Sequence, residues 1–119
     1  MKPIAWVLAV FLFVATGCDN RAHDQYKGTL DRLRSIHNTR TMHMRIEPNY
    51  EDGKTPEEFL EKLQIAPEIS FIRNLTVSEK YDFEFTPRSN GDAKHLPVFV
   101  LSYKGERISF LNDGTETRD

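Results

Sequence analysis

The chain has 119 residues, with 18 Asp and Glu against 16 Lys and Arg, and a single cysteine. That length suits one domain with a modest core, and the weakly acidic balance argues against a nucleic-acid binder that works through a basic patch. One cysteine excludes an internal disulfide framework and argues against a structural zinc site.

Met1-Lys2-Pro3 gives a positive start, and Ile4 to Ala15 is an unbroken apolar run. Crossing a bilayer takes about 20 apolar residues, whereas the apolar region of a signal peptide takes about 7 to 15, so this run predicts a signal peptide. Ala15-Thr16-Gly17 then leads into Cys18. These residues resemble the lipobox of bacterial lipoproteins, whose cysteine is diacylglycerylated and becomes the mature N-terminus. The resemblance implies cleavage before Cys18, covalent lipid on that residue as the sole attached group, and a membrane held through the lipid. Stable anchoring needs at least two acyl chains, each buried CH₂ contributing about 0.8 kcal/mol, and such lipoproteins carry two or three. In enterobacteria-like lipoproteins an Asp after the cysteine resembles an inner-membrane retention signal. Asp19 stands there, which implies a periplasm-facing protein on the inner membrane of a Gram-negative cell. Removing residues 1–17 takes away one basic residue, Lys2, and leaves 102 residues with 15 Lys and Arg against 18 Asp and Glu, a formal charge of −3.

Residues 18–25 read as the lipidated N-terminus and a polar tether. Tyr26, Leu30, Leu33 and Ile36 recur at helical spacing, with His37 beside the last, while Lys27, Asp31, Arg32 and Arg34 take the other face. Gly28 costs about 1 kcal/mol relative to Ala in such a helix. From Thr41 to Ile46, Met42, Met44 and Ile46 alternate with polar residues, which reads as a short strand or as the frayed end of the first helix. Pro48 stops either one.

Thr55-Pro56-Glu57-Glu58 combines a hydroxyl N-cap, proline at the first helical position and acids in the first turn. It predicts a second helix of about three turns, ended by Pro67. Beyond residue 68 the composition turns β-like, although Ile69, Phe71, Ile72, Leu75 and Val77 keep no single period. Tyr81, Phe83 and Phe85 alternate with Asp82, Glu84 and Thr86, a strand with one aromatic and one charged face. Pro87 to Lys94 is a polar loop. Val98–Tyr103 and Arg107–Leu111 are strands joined by Lys104-Gly105-Glu106, and 113–119 reads as a flexible tail. Together these elements predict a single α+β domain over 26–112: an amphipathic helix and a short second helix on an antiparallel meander of three or four strands.

Few constellations carry chemistry. Met42-His43-Met44 offers soft ligands, yet neither a strand nor a helix makes the three converge, so two core methionines and a surface histidine are expected. His23, His37, His43 and His95 lack the spacing of a metal helix. Glu57, Glu58 and Glu61 belong to the start of a capped, solvated helix. No glycine-rich phosphate loop or strained nucleophile turn is present.

A second resemblance is to the soluble part of type IV pilins and pseudopilins. It rests on Tyr50-Glu51-Asp52-Gly53-Lys54-Thr55-Pro56 before Phe59-Leu60-Glu61-Lys62-Leu63, and on Ile108-Ser109-Phe110-Leu111-Asn112-Asp113-Gly114. It implies a long helix, a short one and an antiparallel sheet over residues 26 to 114. Pilins keep their apolar helix after cleavage, with Phe and Glu following the cut, whereas Cys18-Asp19-Asn20 follows it here, so polymerisation through that helix is not implied.

The expected function is therefore a non-catalytic, lipid-anchored protein that binds another envelope protein, as an accessory or an inhibitor. Its contact surface would be a sheet edge or face near Tyr81, Phe83, Phe99 and Tyr103, although core packing also accounts for each. The competing readings are a small periplasmic hydrolase or ligand- or metal-binding lipoprotein, which would gather His37 or His95 with carboxylates in a cleft, and a pilin-like secretion component.

Overall fold

A computed structural model describes the backbone of residues 2–119 and the side chains of residues 21–119. Cys18, Asp19 and the apolar run before them lie outside the residues whose side chains are described. The chain divides into two compact units, Met1–Ile36 and His37–Asp119. Helix α1, Lys2–Ile46, contributes to both.

In the first unit Tyr26, Leu30, Leu33 and Ile36 are buried, the positions that helical spacing selected. Lys27, Asp31 and Arg32 are exposed, and residues 21–25, read as a tether, are already helical. Among the described residues no helix is long and apolar enough to cross a membrane.

The second unit begins inside α1. Thr41–Ile46 is helical, so the alternation of Met42, Met44 and Ile46 is not that of a strand. Met42 and Ile46 are 60% and 76% exposed, while Arg40 is fully buried. The expectation of two core methionines is thus corrected at Met42. In this unit the buried residues of α1 are His37 and Arg40, polar positions that hydrophobic periodicity does not register.

Helix α2, Pro56–Lys62, is two turns long rather than three. Its start is as the sequence indicates: Thr55 accepts from the Glu58 N–H at 3.2 Å, and the Glu58 carboxylate accepts from the Lys54 N–H at 2.8 Å. The end comes before Pro67, because Gln64 adopts φ 61° and turns the chain out of the helix. A 3₁₀ turn, Ala66–Glu68, leads into helix α3, Ile69–Thr76. The composition predicts β-like structure for this stretch, whereas the structure makes it helical. Ile72 and Leu75 are its buried residues, and their spacing of three suits a short helix.

Four antiparallel strands follow in the order β1-β2-β3-β4: Asp82–Phe85, Pro97–Tyr103, Glu106–Leu111 and Glu116–Arg118. The α+β architecture and the meander are those the sequence predicts. The fourth strand lies in the segment read as a flexible tail, where Arg118 also pairs with Glu106 at 3.0 Å. Tyr103 faces Glu106 across Lys104 and Gly105, whose φ values of 48° and 83° make the tight two-residue turn that twisted hairpins favour. Phe99 on β2 is the hub of the core in this unit. Phe59, Phe83, Phe85 and Phe110 lie 5.6 to 6.1 Å from its ring centre. Edge-on and offset contacts of this kind stabilise a core beyond the area they bury.

Candidate functional site

Among the places where the described residues gather polar side chains, one is closed and one is open. The closed one surrounds Arg40. Its Nε donates to Asp52 Oδ1 at 2.7 Å and its Nη2 to Asn112 Oδ1 at 2.6 Å, and all three side chains are buried. The second oxygen of Asp52 accepts from the Arg88 N–H at 2.8 Å. Asn112 in turn donates to the Ser89 and Asp92 carbonyls at 3.0 and 3.2 Å. The network therefore ties the end of α1 to the loop before α2, the β1–β2 loop and the end of β3. Asn90 clasps the end of α1: its amide donates to the carbonyl of Met44, which the last turn of a helix leaves without a helical partner, and to those of Glu47 and Pro48 just beyond it.

Two further titratable groups are enclosed nearby. The Tyr50 ring lies under the Arg40 guanidinium at 5.6 Å. Burial first, and then the Asp52 carboxylate, hold its hydroxyl protonated well above the ordinary phenol range. That hydroxyl meets no partner in full hydrogen-bond geometry, and neither does Nη1 of Arg40. His37 packs edge-on against Phe99 and Phe110, with ring centres 6.1 and 5.5 Å away, and its nitrogens are also without such a partner. Burial, reinforced by the Arg40 charge, pushes its pKa down to about 4. The Thr115 backbone acts in the opposite direction but stands outside full bonding geometry. These groups bond or pack inward, so the cluster works as a structural tie.

The open place is the face of the sheet opposite the aromatic core. Asp82 and Glu84 on β1 share that face with Val100 and Ser102 of β2 and Arg107 of β3. A groove of about 410 Å³ runs from Thr76 and Ser78 past these residues. Of the aromatic residues singled out as contact anchors, Phe99 and Tyr103 are buried, whereas Tyr81 and Phe83 are half-buried. Tyr81 and Tyr103 lie 5.1 Å apart with Lys80 over both rings.

The remaining candidates do not come together. His95 and His23 are exposed and His43 is half-buried. Glu57 is spent on an exposed ion pair with Arg73 at 2.6 Å. Among the described residues no three His, Cys, Asp or Glu side chains are placed to hold a metal ion. The Arg40–Asp52–Asn112 network had no signal in the sequence, since its members are 12 and 72 residues apart and each is of a type usually found at the surface. No family model, no curated protein and no solved structure matches the chain.

Proposed function

We propose that the chain is a bacterial lipoprotein, cut before Cys18 and anchored by lipid on that residue, whose folded domain binds another envelope protein as an accessory or inhibitor without catalysing a reaction. The observation that carries this reading is the short uncharged run Ile4–Ala15 leading through small residues into the single cysteine. The binding half of the reading is supported by the open acidic sheet face beside a free strand edge. The non-catalytic half rests on the sequence, which carries no framed nucleophile or phosphate loop.

Metabolic labelling with a tagged fatty acid tests the anchor. The wild-type chain takes up label and loses residues 1–17, and Cys18→Ser accumulates as an unlabelled precursor. Fatty-acid labelling of that variant overturns the assignment. Density-gradient separation of the membranes tests Asp19, with recovery in the inner membrane expected.

A second reading, a pilin-like secretion component, is favoured by the element order: a long helix, short helices and an antiparallel meander that turns at Asp113-Gly114. It requires the apolar run to remain in the mature protein. Intact mass separates the two readings.

A further inference from the structure

The sheet order leaves one side of β1 without a neighbouring strand, and α3 is the helix that packs against β1. Thr86 donates its N–H to the Val98 carbonyl at 2.8 Å, which fixes the alternation along the strand. Asp82 and Glu84 therefore bond inward to Ser102 and Val100, and Phe83 and Phe85 turn their N–H and C=O groups outward. Such a row of unpaired backbone groups is a template for another strand.

The side chains of β1 select what could pair there. Asp82 and Glu84 are exposed, and among the described residues neither makes an ion pair or a side-chain hydrogen bond. Residues directly opposite across an antiparallel pair bring their side chains into contact, and like charges there repel. A second copy of β1 would set acid against acid. The other free edge of this chain, β4, would offer that face only Thr117, the residue that pairs with Ser109. Positive charge at alternate positions would instead lie over both carboxylates, and apolar residues between them would cover the exposed parts of Phe83 and Phe85.

We propose that the β1 edge accepts an extended segment of another protein, with Lys or Arg at alternate positions and apolar residues between, as a fifth strand of the sheet. This deepens the binding reading above and specifies the partner's chemistry. The groove beside β1 gives the basic side chains room between the Thr76–Ser78 rim and Arg107. Because the charges are exposed, the interaction weakens as salt rises.

The test uses full-length, isotope-labelled protein in detergent and the capped peptide Val-Lys-Val-Lys-Val-Thr, with Val-Glu-Val-Glu-Val-Thr as the control. The Lys peptide is expected to shift the Phe83 and Phe85 amide resonances and slow their exchange, and the Glu peptide to leave them unchanged. Asp82→Lys/Glu84→Lys, two exposed changes, should weaken binding about tenfold or more. Absence of binding by the Lys peptide at millimolar concentration, equal binding by the double variant, or shifts confined to another surface would each overturn the proposal. A chain that binds the Lys peptide but carries no lipid would refute the lipoprotein reading and leave this edge assignment standing.

Discussion

Arg40 Nε lies 2.7 Å from Asp52 Oδ1, and both side chains are fully buried. Neither charge has water to turn to, so the loss of one partner strands the other. Arg40→Met and Asp52→Ala are each expected to lower stability by about 3–5 kcal/mol, read from urea unfolding at neutral pH. The Asp52 variant also strips the Arg88 N–H of its acceptor. A loss below about 1 kcal/mol in either would mean that water reaches the pair.

His37 makes stability depend on pH. Its ring stays neutral in the folded chain down to about pH 4, against an ordinary value of 6.5, because burial and then the Arg40 charge oppose protonation. The unfolded chain takes the proton near its ordinary value, so this contribution is complete above about pH 6.5. It falls as pH drops toward 4 and is flat below that. The separation corresponds to about 3 kcal/mol. His37→Leu removes two unpartnered nitrogens and should flatten the difference in stability between pH 7 and pH 4 by about that amount. An unchanged pH profile in the variant would assign the acid sensitivity to other groups.

How much of this was legible depended on whether a residue's role was local. The Thr55-Pro56 helix start and the Lys104-Gly105 turn were readable because each is decided by neighbours along the chain. Ile69–Thr76 was not, because Ile, Phe and Val favour strands by shape while only two buried contacts, Ile72 and Leu75, set its helical face. The end of α1 misleads most. Met42 and Ile46 face outward and Arg40 inward, the reverse of what hydrophobicity selects, because distant Asp52 and Asn112 supply the partners that make burial of an arginine tolerable. Cys18 is the converse case, a residue whose proposed role rests on the adjacent sequence alone.

The Thr55 cap gives a local prediction. Its hydroxyl satisfies the Glu58 N–H, which the first turn of α2 leaves without a helical partner. Thr55→Ala is expected to cost about 1 kcal/mol by chemical denaturation, and Thr55→Ser almost nothing. Equal losses in the two variants would point to the lost methyl group instead of the hydroxyl.

Gly114 and Gly105 both have positive φ, 93° and 83°, but they differ in what surrounds them. A Cβ on Gly105 would meet open space, so Gly105→Ala exposes the backbone cost alone, about 1 kcal/mol. A Cβ on Gly114 would come within 2.8 Å of Thr41 Cγ2 and 3.0 Å of its Oγ1. Thr41 cannot swing away freely, because its hydroxyl donates to the His37 carbonyl at 2.9 Å. Gly114→Ala should therefore cost about 1–3 kcal/mol more than Gly105→Ala. Thr41→Ala removes both obstructing atoms, and in the double variant that excess should disappear while the backbone cost remains. If the double variant shows no recovery, the close approach of the β3–β4 turn to α1 is not what makes glycine necessary at position 114.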